Sequence, residues 1–373
     1  MSPQQSAVVV TAGAVALLAA APGGWVLTPT AGTRAVAAGG AALTVLAAGG
    51  IVLLGRRLVR GLRSEARRAG PSTGLVLVVL LLPGLVGVGV PAGAAPGTGS
   101  SSGGERLARP VASGGPWAGR SVREGRTFLA APRGAPDAGR VYVDLAEGAV
   151  AARVRVAVEQ WRAGGGRDQG MVLVAVPTGS GWVDPAAVAA AERVAGGDLT
   201  TVVVPYAQRP SWLETLLGGS RAEDVTGALV TALRAELDDV PAARRPRLVV
   251  FGESLGARAA LAVAEHVRVD ACLAAGTPVL RTDVLPPGGR SGGCHEVANA
   301  DDPVSRWSPG LLVRPPEGGR DGGAWLPVVT FWQACAELLV ALDQPEGHGH
   351  RYGGALAPAW REVLAAHPLR PAP

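Results

Sequence analysis

The sequence predicts an α/β fold, a mainly parallel β-sheet with helices on both faces, preceded by an N-terminal transmembrane helical segment. Three observations predict it. From Arg140 onward, short β-branched apolar runs alternate with longer runs of helical periodicity, the pattern of repeated strand–helix crossovers. One of those strands runs into Gly252-Glu-Ser-Leu-Gly256 and then directly into a helical run. The first hundred residues instead hold apolar stretches without a single charge, each close to the ~20 residues that span a bilayer.

Those stretches are Ser6–Leu27, Ala35–Gly55 and Thr73–Ala95. Pro22 and Pro83 are tolerated in spanning helices. Small residues at Leu18-Ala-Ala-Ala21 also fit a signal-peptide cleavage site, but Met1–Gln5 carries no basic residue and two further apolar stretches follow. Between the second and third stretches stand Arg56, Arg57, Arg60, Arg63, Arg67 and Arg68, whereas only Arg34 separates the first two. Basic loops stay cytoplasmic, so three crossings place everything after Ala95 outside the cell membrane. Anionic lipid headgroups account for the Arg cluster. Residues 1–95 are therefore expected to be the membrane segment, 96–116 a Gly/Ser/Pro linker and 117–373 the catalytic domain.

Within that domain the elements follow in order. Arg140–Val143 reads as a strand and Val150–Trp161 as an amphipathic helix. Met171–Val176 is a buried strand, followed by the loop Pro177-Thr-Gly-Ser-Gly-Trp182 and a helix opened by Asp184-Pro185. Thr200–Val204 is a strand and Arg221–Asp238 a helix. Arg247–Phe251 and the helical run Ala257–Val267 flank the Gly-x-Ser-x-Gly turn; strands at Asp270–Ala275 and His295–Asn299 complete the series.

Composition excludes some classes. All 35 basic residues are Arg, the formal net charge is only +5, and the catalytic domain has no basic run interleaved with aromatics, so no nucleic-acid partner is expected. Cys272, Cys294 and Cys335 lack metal-ligand spacing. Cys272 and Cys294 fall on neighbouring candidate strands, where a bond is feasible in an oxidising compartment; buried free thiols are the expectation. Neither metal nor cofactor is expected.

A strand, a tight Gly-x-Ser-x-Gly turn and a helix describe the nucleophile elbow of α/β-hydrolases. With 54 glycines the pattern recurs, at Ser101 and Ser291, but neither is preceded by a strand. Ser254 alone has that context. The Leu255 N–H, opening the helix, is placed to bind an oxyanion. The second donor is expected from the loop after an earlier central strand, at the N–H of Thr178 or Gly179.

A serine hydroxyl needs a base oriented by a carboxylate, and in this fold the order is Ser, acid, His. Asp302 ends the last short strand and is the preferred acid, with Asp301 competing. The base lies in Glu346-Gly-His-Gly-His-Arg-Tyr352, where sequence does not decide between His348 and His350. His348 is placed first, with His350 as its positioning partner. A His-x-His pair also suits a metal, but no third ligand stands nearby. His266, His295 and His367 fall on a helix, within a strand and in the tail. Trp182 and Trp307 flank the site loops and are candidates for lining an acyl pocket, although each singly reads equally as packing.

Several short motifs together resemble a known family. They are Pro177-Thr-Gly-Ser-Gly-Trp-Val-Asp-Pro185, Pro210-Ser-Trp212, Phe251-Gly-Glu-Ser-Leu-Gly256, Asp302-Pro-Val304, Trp307-Ser-Pro309, Leu326-Pro-Val-Val-Thr-Phe-Trp332, and Gly347-His-Gly-His350 with Tyr352. The chain is similar, over about Gly114–Trp360, to actinobacterial membrane proteins that join a multi-pass N-terminal segment to an α/β-hydrolase domain, formerly a domain of unknown function. The resemblance implies a serine-hydrolase triad of Ser254, Asp302 and one of His348 or His350. It departs in a shorter membrane segment and in the more polar Tyr206-Ala-Gln-Arg209. The expected function is a membrane-anchored serine esterase, lipase-like or acyl-transferring, with an acyl-ester or lipid-like substrate and membrane lipids as partners. The alternative is a catalytically silent hydrolase-fold scaffold or binding protein.

Overall fold

The structure, a computed structural model, describes residues 24–46, 49, 119–209, 220–279, 290–291, 293–316 and 325–365. The expected spans at Ser6–Leu27 and Ala35–Gly55 are described only in part. Thr73–Ala95, the six-Arg loop, the linker up to residue 116, Pro210–Trp212 and His367 lie outside the described residues. Among the described residues no helix is long and apolar enough to cross a membrane.

A helix over residues 31–46 (α1) precedes the α/β domain. The domain then runs α2 (Arg120–Ala130), β1 (Gly139–Tyr142), α3 (Val150–Ala163), β2 (Met171–Val176), α4 (Pro185–Val194), β3 (Leu199–Val203), α5 (Arg221–Asp238), β4 (Arg247–Glu253), α6 (Leu255–His266), β5 (Ala271–Ala275), β6 (Arg290–Ser291), β7 (Cys294–Val297), α7 (Val329–Leu338) and α8 (Ala357–Ala365).

The strands form one sheet in the order β1-β3-β2-β4-β5-β7-β6. Every pairing is parallel except the short β6–β7 ladder. β2 is buried at all six positions, as a central parallel strand covered on both faces must be. On one face Val154, Trp161, Leu229, Leu233 and Ala260 of α3, α5 and α6 meet the strands. On the other, Phe128, Val188 and Trp360 of α2, α4 and α8 pack over Leu173, Phe251 and Leu273. The predicted layers are therefore present.

One element is new to the sequence reading and one expectation is corrected. The helix α2 had no forecast, because its stretch carries three Arg and Gly125. That glycine is a packing requirement: a Cβ there would lie 2.5 Å from the Tyr142 ring. Cys272 and Cys294 are not free thiols. Parallel register sets them opposite each other on β5 and β7, with Cα atoms 4.4 Å apart, and they form a disulfide. The free thiol is Cys335.

Register also positions the site. Val176 pairs with Gly252, Glu253 with Ala275, and Ala275 with Val297, so β2, β4, β5 and β7 all end at one edge. The loops leaving that edge begin at Pro177, Ser254, Gly276 and Ala298, the place where open α/β sheets bind ligands.

Candidate active site

Ser254 stands between β4 and α6 with φ 56° and ψ −123°, a left-handed conformation that costs a non-glycine residue about 1–3 kcal/mol. Its surroundings enforce it. The Ser254 N–H donates to the Ala275 carbonyl at 3.0 Å, and its own carbonyl accepts from Ala257 N–H at 3.0 Å. A Cβ on Gly252 would lie 2.2 Å from Gly256 backbone, and one on Gly256 would lie 2.4 Å from the Val176 carbonyl oxygen. The elbow thus requires both glycines, as the pentapeptide suggested.

The latter contact also shows that the Pro177 loop passes directly over the start of α6. In that loop Thr178 N–H donates to the Trp182 carbonyl at 2.8 Å, and the Gly179 carbonyl accepts from Arg209 N–H at 2.9 Å. The Thr178 amide is spent inside the loop, so of the two expected donors Gly179 is the one left for an oxyanion. Leu255 N–H opens α6, where the first-turn amides lack helical partners.

The histidines separate clearly. His350 Nδ1 lies 2.8 Å from Asp302 Oδ2, with Asp302 fully buried and the imidazole 11% exposed. His348 pairs instead with Asp301, Nδ1 to Oδ2 at 3.0 Å, and is 62% exposed. The preferred acid Asp302 therefore pairs with His350, the second-placed histidine, and the first-placed His348 pairs with Asp301. Gly349, at φ +53°, turns the chain between the two histidines.

His350 also lies against Gly276, the residue that follows β5. A Cβ on Gly276 would lie 2.8 Å from His350 Cε1, and Gly276 directly follows Ala275, whose carbonyl binds Ser254 N–H. A carboxylate only accepts, so in this contact His350 Nδ1 is the donor and Nε2 is the ring nitrogen left over. Asp302 is itself held by Val304 N–H on Oδ1 at 2.8 Å and by Tyr352 hydroxyl on Oδ2 at 2.6 Å. Burial first, then the neighbouring Asp302, pushes the Tyr352 hydroxyl upward, keeping it a donor.

Tyr352 received no role from sequence reasoning, because nothing in its spacing reveals contact with an acid fifty residues earlier. Glu253 was also passed over. It is buried next to Ser254 in the chain, its Oε1 has no hydrogen-bond partner, and burial with nearby Asp184 drives it well above the carboxylate range. Asp184 caps α4 through Ala186 N–H at 2.8 Å and is itself raised by burial. Trp307 packs on Phe331 with ring centres 5.8 Å apart, so its visible role is packing. Among the described residues no three His, Cys, Asp or Glu side chains are grouped to hold a metal.

Comparison with solved structures finds a Trichoderma reesei cutinase in complex with a C11Y4 phosphonate inhibitor, 15% identical, covering 52% of this chain and 91% of that one. Its TM-score of 0.29 is too low to carry any inference. No curated protein matches the chain. A family model described as "Alpha/beta-hydrolase family" matches residues 139–283 and 295–372, which take in β1, the elbow, Asp302 and His350. Since the match spans more than half of the sequence, the chain belongs to this alpha/beta-hydrolase family.

Proposed function

We propose that the protein is a serine hydrolase acting on an acyl ester, with Ser254 as nucleophile, His350 as general base and Asp302 as the orienting acid. The observation that carries this reading is the buried Asp302–His350 pair set against Gly276, beside the strained Ser254. The Ser254 Oγ proton passes to His350 Nε2 as Oγ attacks the ester carbonyl, and Asp302 stabilises the imidazolium. The oxyanion is held by Leu255 and Gly179 N–H groups, each such donor being worth about 100- to 1000-fold in rate. Collapse breaks the ester C–O bond, and His350 returns the proton to the departing alcohol. Water, or a second alcohol in acyl transfer, then attacks the Ser254 acyl-enzyme with His350 again as base.

The protein is further proposed to be anchored in the cell membrane by its apolar N-terminal segment, with the catalytic domain outside the cytoplasm and lying against the bilayer at α7, on which residues 24–46 of that segment pack. The Cys272–Cys294 disulfide supports that side of the membrane, because such bonds persist in oxidising compartments. A fluorophosphonate probe tests the catalytic reading. Wild type becomes labelled and Ser254→Ala does not; labelling that survives the substitution removes Ser254 as nucleophile. On a short-chain ester, His350→Ala lowers kcat by about 10⁴-fold or more, whereas His348→Ala stays within about tenfold of wild type.

A further inference from the structure

The residues ahead of the catalytic domain are built into it. Along α1 the buried positions are Thr33, Ala37 and Ala41, one stripe at four-residue spacing. That segment meets α7. Leu27 N–H donates to Glu337 Oε1 at 2.8 Å, and Val26 N–H donates to the same oxygen. Trp332 Nε1 donates to Thr44 Oγ1 at 2.8 Å, and a Cβ on Gly40 would lie 2.3 Å from the Trp332 ring. Gly24, at φ +85°, lies against Gln333 and Thr330, where a Cβ would come within 2.5 Å of Gln333 Oε1. Small residues in the strap and large ones on α7 make a close fit.

The opposite side of α7 holds the loop of the catalytic acid. Trp307, five residues after Asp302, donates its indole N–H to Cys335 Sγ at 3.2 Å. The Trp307 ring packs on Phe331, which meets Trp332 edge-on at 5.3 Å. Arg306 donates to the Ala300 carbonyl at 3.2 Å, and its guanidinium feels Glu337, Asp302 and Asp301 together. Strap and acid loop therefore share one helix, one ring series and one cation. Among the described residues, the two non-glycine residues at positive φ are Ser254 and Val328, the latter capping α7. A β-branched residue at φ 65° persists only where its surroundings over-determine it.

We propose that Glu337 is a positioning residue: by clamping residues 24–46 onto α7, it holds Arg306, Trp307 and thereby Asp302 in the geometry that orients His350. The inference rests on the catalytic reading above and adds the N-terminal strap to what the site requires. Burial raises the Glu337 carboxyl to about 7, while the Leu27 and Val26 amides and Arg306 pull it down, so strap and cation together favour its charged form.

The test uses the full-length chain in detergent or nanodiscs. Hydrogen exchange over residues 24–46, fluorophosphonate labelling of Ser254, and kcat and KM on a short-chain ester are measured for wild type, Glu337→Gln and Glu337→Leu. Glu337→Leu leaves two strap amides and Arg306 without their carboxylate. It is expected to speed strap exchange and to lower labelling rate and kcat about tenfold, with KM little changed, the size of one lost charge-assisted contact. Glu337→Gln keeps an acceptor oxygen and recovers most of both. Thr44→Val removes the Trp332 acceptor at a half-exposed site and gives a smaller loss of the same kind, which keeps the idea testable if Glu337→Leu does not fold. Rapid strap exchange with unchanged kcat overturns the proposal, as does a loss of kcat with the strap still protected. If wild type is never labelled at Ser254, the catalytic reading fails, and the exchange data alone judge the docking.

Discussion

Tyr352 and His350 donate to the same oxygen of Asp302, at 2.6 and 2.8 Å, so the acid is held by both residues while orienting one. Tyr352→Phe removes a hydrogen bond to a charged, buried group, worth about 1.5 kcal/mol or about tenfold in kcat. Because the phenol no longer draws charge from Asp302, the acid limb of the kcat/KM profile moves to higher pH; an unmoved limb would show that the hydroxyl is only structural. Glu253 makes a stability prediction instead. Its folded-state value lies above its unfolded one, so the native state binds the extra proton. Its contribution is fully present below the ordinary carboxylate range and is lost as pH rises toward the raised value, by up to about 1.4 kcal/mol per pH unit. Glu253→Gln keeps the shape without the proton. Urea unfolding at pH 5 and pH 8 should show the variant gaining on wild type at the higher pH, and equal losses in both would refute a neutral Glu253.

At the level of elements, β5 and β7 carry the parts that must stay in register. β5 ends at Ala275, which fixes Ser254, and β7 leads to Asn299, whose side chain donates to the Gly349 and Arg351 carbonyls at 2.9 and 3.2 Å. The disulfide between these strands closes a loop of 22 residues, worth about 3 kcal/mol by restriction of the unfolded chain. Reduction, or Cys272→Ala with Cys294→Ala, is expected to lower Tm by about 6–12 °C. An unchanged Tm on verified reduction would show that strand pairing alone holds β7. Elements such as β2 and β4 were legible in the sequence because a buried parallel strand is a continuous apolar run bounded by turn residues. The helix α2 was not, since its Gly125 weakens helix propensity and is explained only by the Tyr142 ring over it.

For the whole molecule, one sheet edge gathers the Pro177 loop, the elbow, Gly276, the Asp302 loop and the His350 loop, while the strap meets α7, which packs against the Asp302 loop. Protease added to intact cells should cleave the chain beyond residue 95, as expected for a catalytic domain outside the membrane; complete protection of that part would reverse the orientation. The site was partly legible at this scale. Ser254 and Asp302 stand out as candidates because a tight glycine turn and an acid after a strand are local features. The proposed base does not: His348 and His350 share glycine neighbours, and only the approach of Asp301 and Asp302 from a distant loop divides them.

From its order of residues alone the chain determined the alternation of strands and helices, the elbow at Ser254 and the candidates that serve it, since periodicity and turn chemistry operate within a few residues. Folding decided that His350 rather than His348 joins Asp302, that Cys272 meets Cys294, and that Glu337 grips the strap. These depend on register across the sheet and on helix packing, which are set by the sum of contacts between segments tens to hundreds of residues apart.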